Sequence, residues 1–177
     1  MVRQTSRGID FEIVRDWLAK YRETLSEISV QSERLKRLVS SMENAQSPKL
    51  TDMPRAPGNA SDKMSNYVAS KEMIEAGIAR QLEFVQKTRE AVEDIISDFS
   101  PADRSIIRLY DLDGMEWPDV IGILYRDTKP WQKHYSSVTK KRREAVDAMS
   151  KAIAEHRKDS WPTLVEISGI IYPNPLG

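Results

Sequence analysis

One basic stretch in the second half of the chain carries the side-chain types that bind nucleic acids. In residues 128–146 glutamine, serine, threonine, lysine and arginine recur at helical spacing. Gln and Lys can hydrogen-bond to adenine or guanine edges, whereas Ser, Thr and Lys more often hold phosphates. We therefore predict base contacts by Gln132 and Lys133. The predicted DNA-facing surface also includes Thr128, Lys129, Ser136 and Lys140, and a basic cluster further along that would meet the DNA backbone, formed by Lys140, Lys141, Arg142 and Arg143.

Three short-range patterns predict the helices that would position this surface. Ser100 is a cap for a first helix, with Pro101 at its first position, and Gly114 is a C-terminal stop. A second helix is expected to begin near Glu116. Asp127 or Thr128 would cap a third helix that runs on to about residue 158. Residues 100–146 thus predict three consecutive helices with short turns between them.

The apolar spacing in the third helix predicts which side is buried. Trp131, Tyr135 and Val138 stand at i, i+4 and i+7, so we expect them to bury against the two preceding helices. The opposite face of helix 128–146 would then stay free. This layout is typical of a helix-turn-helix, which places its second helix in the major groove of DNA.

The charge distribution agrees with a polyanionic partner. The chain has 27 Lys and Arg against 27 Asp and Glu, so its formal net charge is zero. Residues 65–127 carry 7 basic and 13 acidic side chains, a net of −6, whereas residues 128–158 carry 9 and 3, a net of +6. A local basic segment favours nucleic-acid binding. The alternative is an ordinary solvated helix face.

The first hundred residues show two heptad-like apolar seams, which predict two long helices. The first seam is Val14, Leu18, Tyr21, Leu25, Ile28, Ser32, Leu35, Val39 and Met42. The second is Met64, Tyr67, Lys71, Ile74, Ile78, Gln81, Val85, Thr88, Val92, Ile95 and Phe99. Because a single helix cannot bury its stripe, the two would pair within the chain or with another copy as a homodimer.

We therefore predict an all-α protein in three parts. Residues 1–99 would form an antiparallel coiled-coil helical hairpin with a proline-containing connector loop at 46–63. Residues 100–158 would form the helix-turn-helix domain with a long basic last helix. Residues 159–177 would be a tail, in which the β-branched run 163–172 could form a short strand or a packed segment without one.

Residues for bond-making chemistry are scarce, so we expect a protein that is not an enzyme. Cysteine is absent, and His134 and His156 lie 22 positions apart without ligand spacing around them. We expect no catalytic residues, no metal site and no cofactor, and we interpret His134 as a phosphate or packing residue. No apolar run approaches the roughly 18 residues of a membrane span, so we predict a cytoplasmic protein without a membrane partner.

Residues 100–146, from Ser100-Pro101-Ala102-Asp103 to the basic helix, resemble the fourth region of bacterial sigma factors. Residues 10–150 resemble phage and prophage transcriptional regulators of the ArpU and RinA type, and the connector stretch 53–64 is similar to a segment between the coiled-coil helices of that group. The resemblance implies a DNA-binding regulator of phage genes in the cytoplasm of a bacterial host, with double-stranded DNA and RNA polymerase as partners.

Two other functions fit the same layout. A phage packaging protein of the small-terminase kind also joins a helix-turn-helix to a coiled-coil oligomerisation segment. A coiled-coil adaptor that docks on RNA polymerase would need no DNA contact at all. The DNA target, the direction of regulation and the oligomeric state stay open at this stage.

Overall fold

The computed structural model describes residues 6–46, 60–126 and 130–173 of the 177-residue chain. All regular secondary structure in these ranges is helical, which confirms the predicted all-α class. The helices are α1 (Ser6–Gln46), α2 (Ala60–Ile96), α3 (Pro101–Ile106) with a π-helical continuation (Ile107–Leu112), α4 (Trp117–Tyr125), α5 (Gln132–Ala154) and α6 (Leu164–Ile171).

The ends of the two long helices follow the sequence in part. Helix α1 ends at Gln46, where the predicted proline-containing connector 46–63 begins; the residue before Pro48 is disfavoured in a helix. It begins at Ser6, so Asp10, a residue type common at helix N-caps, lies inside the helix. Most of the predicted connector 46–63 falls at 47–59, outside the described residues.

Local hydrogen bonds fix α3 as expected. The Ser100 hydroxyl accepts a hydrogen bond from the Asp103 amide at 3.2 Å, and Pro101 occupies the first turn, where no intrahelical donor is needed. After the π-helical segment, Gly114 adopts φ +70°, a conformation that a side chain would strain. The predicted glycine stop is confirmed.

Helix α4 ends at a residue with a left-handed backbone conformation, which the sequence does not predict. Its C-cap is Arg126 with φ 45°, a left-handed position that glycine usually occupies. The Arg126 amide donates to the Gly122 carbonyl at 3.2 Å. Helix α5 begins only at Gln132, four residues after the predicted Thr128; residues 127–129 lie outside the described ranges.

The described contacts divide the chain into two compact units, residues 1–23 with 85–177 and residues 24–84. The first unit holds the apolar core, to which every helix in it contributes buried side chains. Its fully buried members include Val14, Leu18 and Tyr21 of α1, Val92, Ile95 and Ile96 of α2, and Ile106, Val120, Val138, Val146, Met149 and Ile167 further along.

The second unit contains parts of α1 and α2 alone. Gln81 Nε2 donates to Glu27 Oε2 at 2.8 Å, and a Cβ added at Gly77 would lie 3.2 Å from Gln31 Oε1. As the α1 position rises from 27 to 31, the contacted α2 position falls from 81 to 77, so the two segments run in opposite directions.

Within the segment 163–172, Leu164–Ile171 form helix α6, so the strand alternative is wrong. The Thr163 hydroxyl accepts from the Glu166 amide at 3.1 Å, and the Glu166 carboxylate accepts from the Thr163 amide at 2.7 Å. This capping box starts α6, and Ile167 on its inner side is fully buried. Capping and burial outweigh the β-branched composition, since strand preference depends on pairing with another strand and the described ranges contain no strand.

Candidate nucleic-acid interface

The inner side of α5 is anchored by apolar side chains from three helices. Val138 is fully buried with Ile106 of α3 and Ile121 of α4, and half-buried Leu124 and Trp131 pack against this cluster. Further along, Val146, Met149 and Ile153 are buried at helical spacing. One side of α5 is therefore fixed to the core along its whole length.

The outer side of α5 is polar and exposed. Gln132, Lys133 and Ser136 are exposed in its first two turns, and Lys140 follows on the same side of the helix. Lys141 and Arg143 are exposed as well. The structure thus brings together six of the nine predicted site residues on the accessible part of one helix. Two others, Thr128 and Lys129, lie outside the described residues.

Arg142 differs from the other predicted site residues because its guanidinium turns inward. Its Nη2 lies 2.6 Å from Asp111 Oδ1 and its Nε 3.0 Å from Oδ2, a two-pronged pair with a carboxylate that is fully buried. The Arg142 side chain keeps 20% exposure. Arg142 therefore ties α5 to the π-helical segment, and its charge is already compensated.

Burial and ion pairing shift the pKa of Asp111 in opposite directions. Removal from water raises the pKa of Asp111, and the hydrogen bonds and charge of Arg142 oppose that rise. The sequence gives a weak signal for this arrangement, since Asp111 stands four residues after the buried Ile107 and so shares its face.

The aromatic anchors form a row at the edge of the core. Tyr110 stacks on Trp117 with ring centroids 3.9 Å apart, and Tyr135 meets Trp117 and Trp131 edge-on at 6.0 and 5.8 Å. Tyr135 is 42% exposed, so the burial expected for it is only partial, whereas Val138 is fully buried as predicted. Its position one turn before Val138 places the Tyr135 ring at the border of the buried side.

His134 serves in packing, one of the two roles expected for it. Its ring stacks on Tyr125 of α4 with centroids 4.1 Å apart and planes 20° from parallel. Among the described residues no group of three or more His, Asp or Glu side chains is arranged to hold a metal ion.

Acidic side chains accompany the second half of the exposed face. Lys140 Nζ lies 3.9 Å from Glu144, and Lys151 Nζ lies 2.5 Å from Asp147, both across one helical turn. An open groove of 530 Å³ along this stretch is lined by Gly8, Phe11, Glu12, Lys140, Arg143, Glu144 and Asp147. The positive potential should therefore be least compensated in the first half of α5, around Lys133 and Lys141.

The basic charge predicted at the end of the segment is partly neutralised by α2. Lys158 Nζ lies 2.7 Å from Asp94 Oδ1, and Trp161 Nε1 donates to Asp94 Oδ2 at 2.6 Å. These two donors lower the pKa of Asp94, with Lys158 the larger influence. The sequence did not predict these contacts. Lys158 lies 64 positions after Asp94 in the chain, and Trp161 lies 67 positions after it.

The described helices include none that is long and apolar enough to cross a membrane. Comparison with protein-family models, with curated proteins and with solved structures finds no match for this chain. The resemblance to ArpU- and RinA-type regulators accordingly stays a prediction.

Proposed function

We propose that this chain is a sequence-specific DNA-binding regulator of transcription that reads the major groove with the exposed face of α5. One observation carries the proposal: Gln132, Lys133, Ser136 and Lys140 are exposed on one side of a helix whose other side is anchored in the core. A recognition helix needs both properties, because its base-reading side must be free and its orientation must be fixed.

In this proposal α4 and α5 are the two helices of a helix-turn-helix, supported by α3, and the reading segment corresponds to the predicted helix 128–146. Helices α1 and α2 would form the coiled-coil hairpin. The resemblance to sigma region four and to ArpU- and RinA-type proteins supports a role at phage promoters in a bacterial cytoplasm, with RNA polymerase as a second partner.

The side chains divide into two roles. Gln132 and Lys133, near the N-terminal end of α5, are the candidates for base edges. Ser136, Lys140, Lys141 and Arg143 would hold phosphates, which set affinity and position rather than sequence choice. Arg142 is left out of the DNA contacts, because its guanidinium is held by buried Asp111.

DNA binding by purified protein at low salt tests the proposal, with upstream fragments of the neighbouring phage genes as probes in gel shifts. The double variant Lys133→Glu with Lys140→Glu should abolish binding without changing the helical circular dichroism. A charge-matched control, Lys36→Glu with Arg37→Glu on α1, makes the same change in net charge away from α5 and should retain binding.

The dependence of DNA affinity on salt concentration and on DNA sequence separates base-specific recognition from non-specific electrostatic binding. A substitution that removes one lysine–phosphate interaction should reduce the slope of log affinity against log salt by about 0.9. Gln132→Ala should weaken binding to the selected site while leaving the weaker binding to random DNA unchanged. Absence of any binding by folded protein at low salt, or equal loss of binding in the α1 control, would overturn the proposed function.

A further inference from the structure

The turn between α4 and α5 contains a backbone conformation that costs free energy. Arg126 has φ 45°, in the left-handed region that residues with a side chain rarely adopt. Glycine would take the same conformation without that cost. Strained residues cluster at functional positions, so the Arg126 side chain is a candidate for a role of its own.

Arg126 brings a positive charge to a part of the chain that is otherwise acidic. The stretch 112–127 holds four acidic residues and one basic residue, which is Arg126. Arg126 is exposed, and the residues that the structure describes include no ion-pair partner for it. Its guanidinium is therefore available to an anion from outside the chain.

A ring contact places Arg126 beside the first turn of α5. The preceding residue, Tyr125, stacks on His134 with ring centroids 4.1 Å apart. The Arg126 amide donates to the Gly122 carbonyl at 3.2 Å, which fixes the backbone at the end of α4. Arg126 therefore lies next to the end of α5 at which Lys133, the neighbour of His134, is exposed.

The outer surface of α4 favours its C-terminal end as the place where a polyanion can approach. The first helix of a helix-turn-helix crosses the DNA backbone. Glu116 and Asp119, both exposed, repel phosphates at the N-terminal end of α4. Gly122 is exposed as well, with open space where a side chain would stand. Phosphates can therefore come close to the helix one turn before Arg126.

We propose that Arg126 binds a phosphate of the DNA backbone at the edge of the groove that α5 enters. This inference rests on the proposed function, and it adds a residue of the turn to the exposed face of α5. The planar guanidinium can donate two hydrogen bonds to one phosphate, so the contact fixes the position of the DNA as well as adding affinity. In this role Arg126 reads no sequence, because every nucleotide presents the same phosphate.

Stability and DNA binding should change in opposite directions when Arg126 is replaced by glycine. Arg126→Gly removes the left-handed strain and should raise the melting temperature. The same change removes a charge-assisted contact and should weaken DNA binding about tenfold at low salt. Because the variant is expected to be more stable than the natural chain, its weaker binding cannot be attributed to unfolding.

Gel shifts over a range of salt concentrations test the role of Arg126, with the same upstream DNA fragments and with random DNA as probes. Arg126→Gly should lower the slope of log affinity against log salt by about 0.9, as the loss of one phosphate contact requires. The loss of affinity should be similar for both kinds of DNA, since the contact is made to the backbone. Arg126→Lys keeps the charge and should keep the slope, but it should bind more weakly than the natural chain because lysine lacks the two-pronged geometry.

The matched control is His156→Gly. His156 has φ 46° and is exposed, and it follows the C-terminal end of α5, at the opposite end of that helix from Arg126. The control relieves the same kind of strain and should leave DNA binding unchanged. If the natural chain binds DNA and Arg126→Gly binds equally well with the same salt slope, the role of Arg126 is overturned and the proposed function stands. Absence of DNA binding by the folded natural chain would overturn both.

Discussion

Replacement of Arg142 by methionine should destabilise the protein strongly, although Arg142 belongs to a basic cluster that resembles a surface feature. Methionine keeps most of the aliphatic length of arginine but removes the guanidinium that pairs with Asp111. Because Asp111 is fully buried, its carboxylate would lose its hydrogen-bonded counter-charge, and the charge of Arg22 would remain as a weaker influence.

The structure sets the size of the effect. Removal of one partner from a buried ion pair costs about 3–5 kcal/mol of unfolding free energy. The Arg142 side chain retains 20% exposure, so water can reach part of the vacated space, and we expect a loss near the lower limit, about 3 kcal/mol. With a urea dependence of about 1–3 kcal/mol per molar, the unfolding midpoint should fall by about 1–3 M.

Tryptophan fluorescence during urea unfolding is a suitable assay. All four tryptophans, at positions 17, 117, 131 and 161, belong to the unit formed by residues 1–23 and 85–177, which also contains the ion pair. The signal therefore follows the part of the chain where the substitution acts. Lys141→Met is the matched control, because Lys141 is the exposed neighbour on the same helix and should change stability by less than about 0.5 kcal/mol.

The destabilisation of the Arg142→Met variant should depend on pH. Burial raises the pKa of Asp111, and without Arg142 the opposing influence is reduced to the charge of Arg22. Because the folded-state pKa is raised, the deficit grows as the pH rises from the unfolded-state pKa and is complete only above the folded-state pKa. It should shrink as the pH falls through the folded-state pKa towards the ordinary Asp range near about 4.

A double variant and a clear failure condition complete the test. Asp111→Leu combined with Arg142→Met removes both charges and should recover most of the stability that the single change loses. If Arg142→Met unfolds at the same urea concentration as Lys141→Met, and does so at every pH, then Asp111 is not buried beside Arg142 and the reasoning is refuted.

Three further pairs of substitutions test the local backbone. Gly114→Ala should cost about 1 kcal/mol, because Gly114 has φ +70°, whereas Gly122→Ala in the open interior of α4 should be neutral or stabilising; thermal unfolding would compare them. Arg126→Gly should stabilise by up to about 1 kcal/mol, because it relieves a left-handed φ of 45°, and Arg126→Ala, which keeps the strain, should not. Thr163→Ala should cost about 1 kcal/mol because it removes the capping box, and Thr163→Ser should retain it; equal melting temperatures for these two variants would contradict the role of the cap.

Local sequence patterns predicted a large part of the helical architecture. The cap at Ser100, the stop at Gly114 and the end of α1 at the proline-containing connector depend on interactions within a few residues, so they can be recognised without a fold. Helical spacing likewise predicted that Val138 is buried while Gln132 and Lys133 are exposed. For 163–172 the composition left open a short strand or a packed segment without one, and the capping box with buried Ile167 produced a helix.

The sequence by itself determined the helical class and which side of α5 faces water, because both follow from the repeat of one helix. The tertiary structure alone decided the use of individual charges. Arg142 and Lys140 are equally basic in sequence, yet one is held by an aspartate 31 positions earlier and the other is exposed. Contacts over such distances depend on how separate helices meet, and the free energy of a charge depends on the burial that this meeting creates.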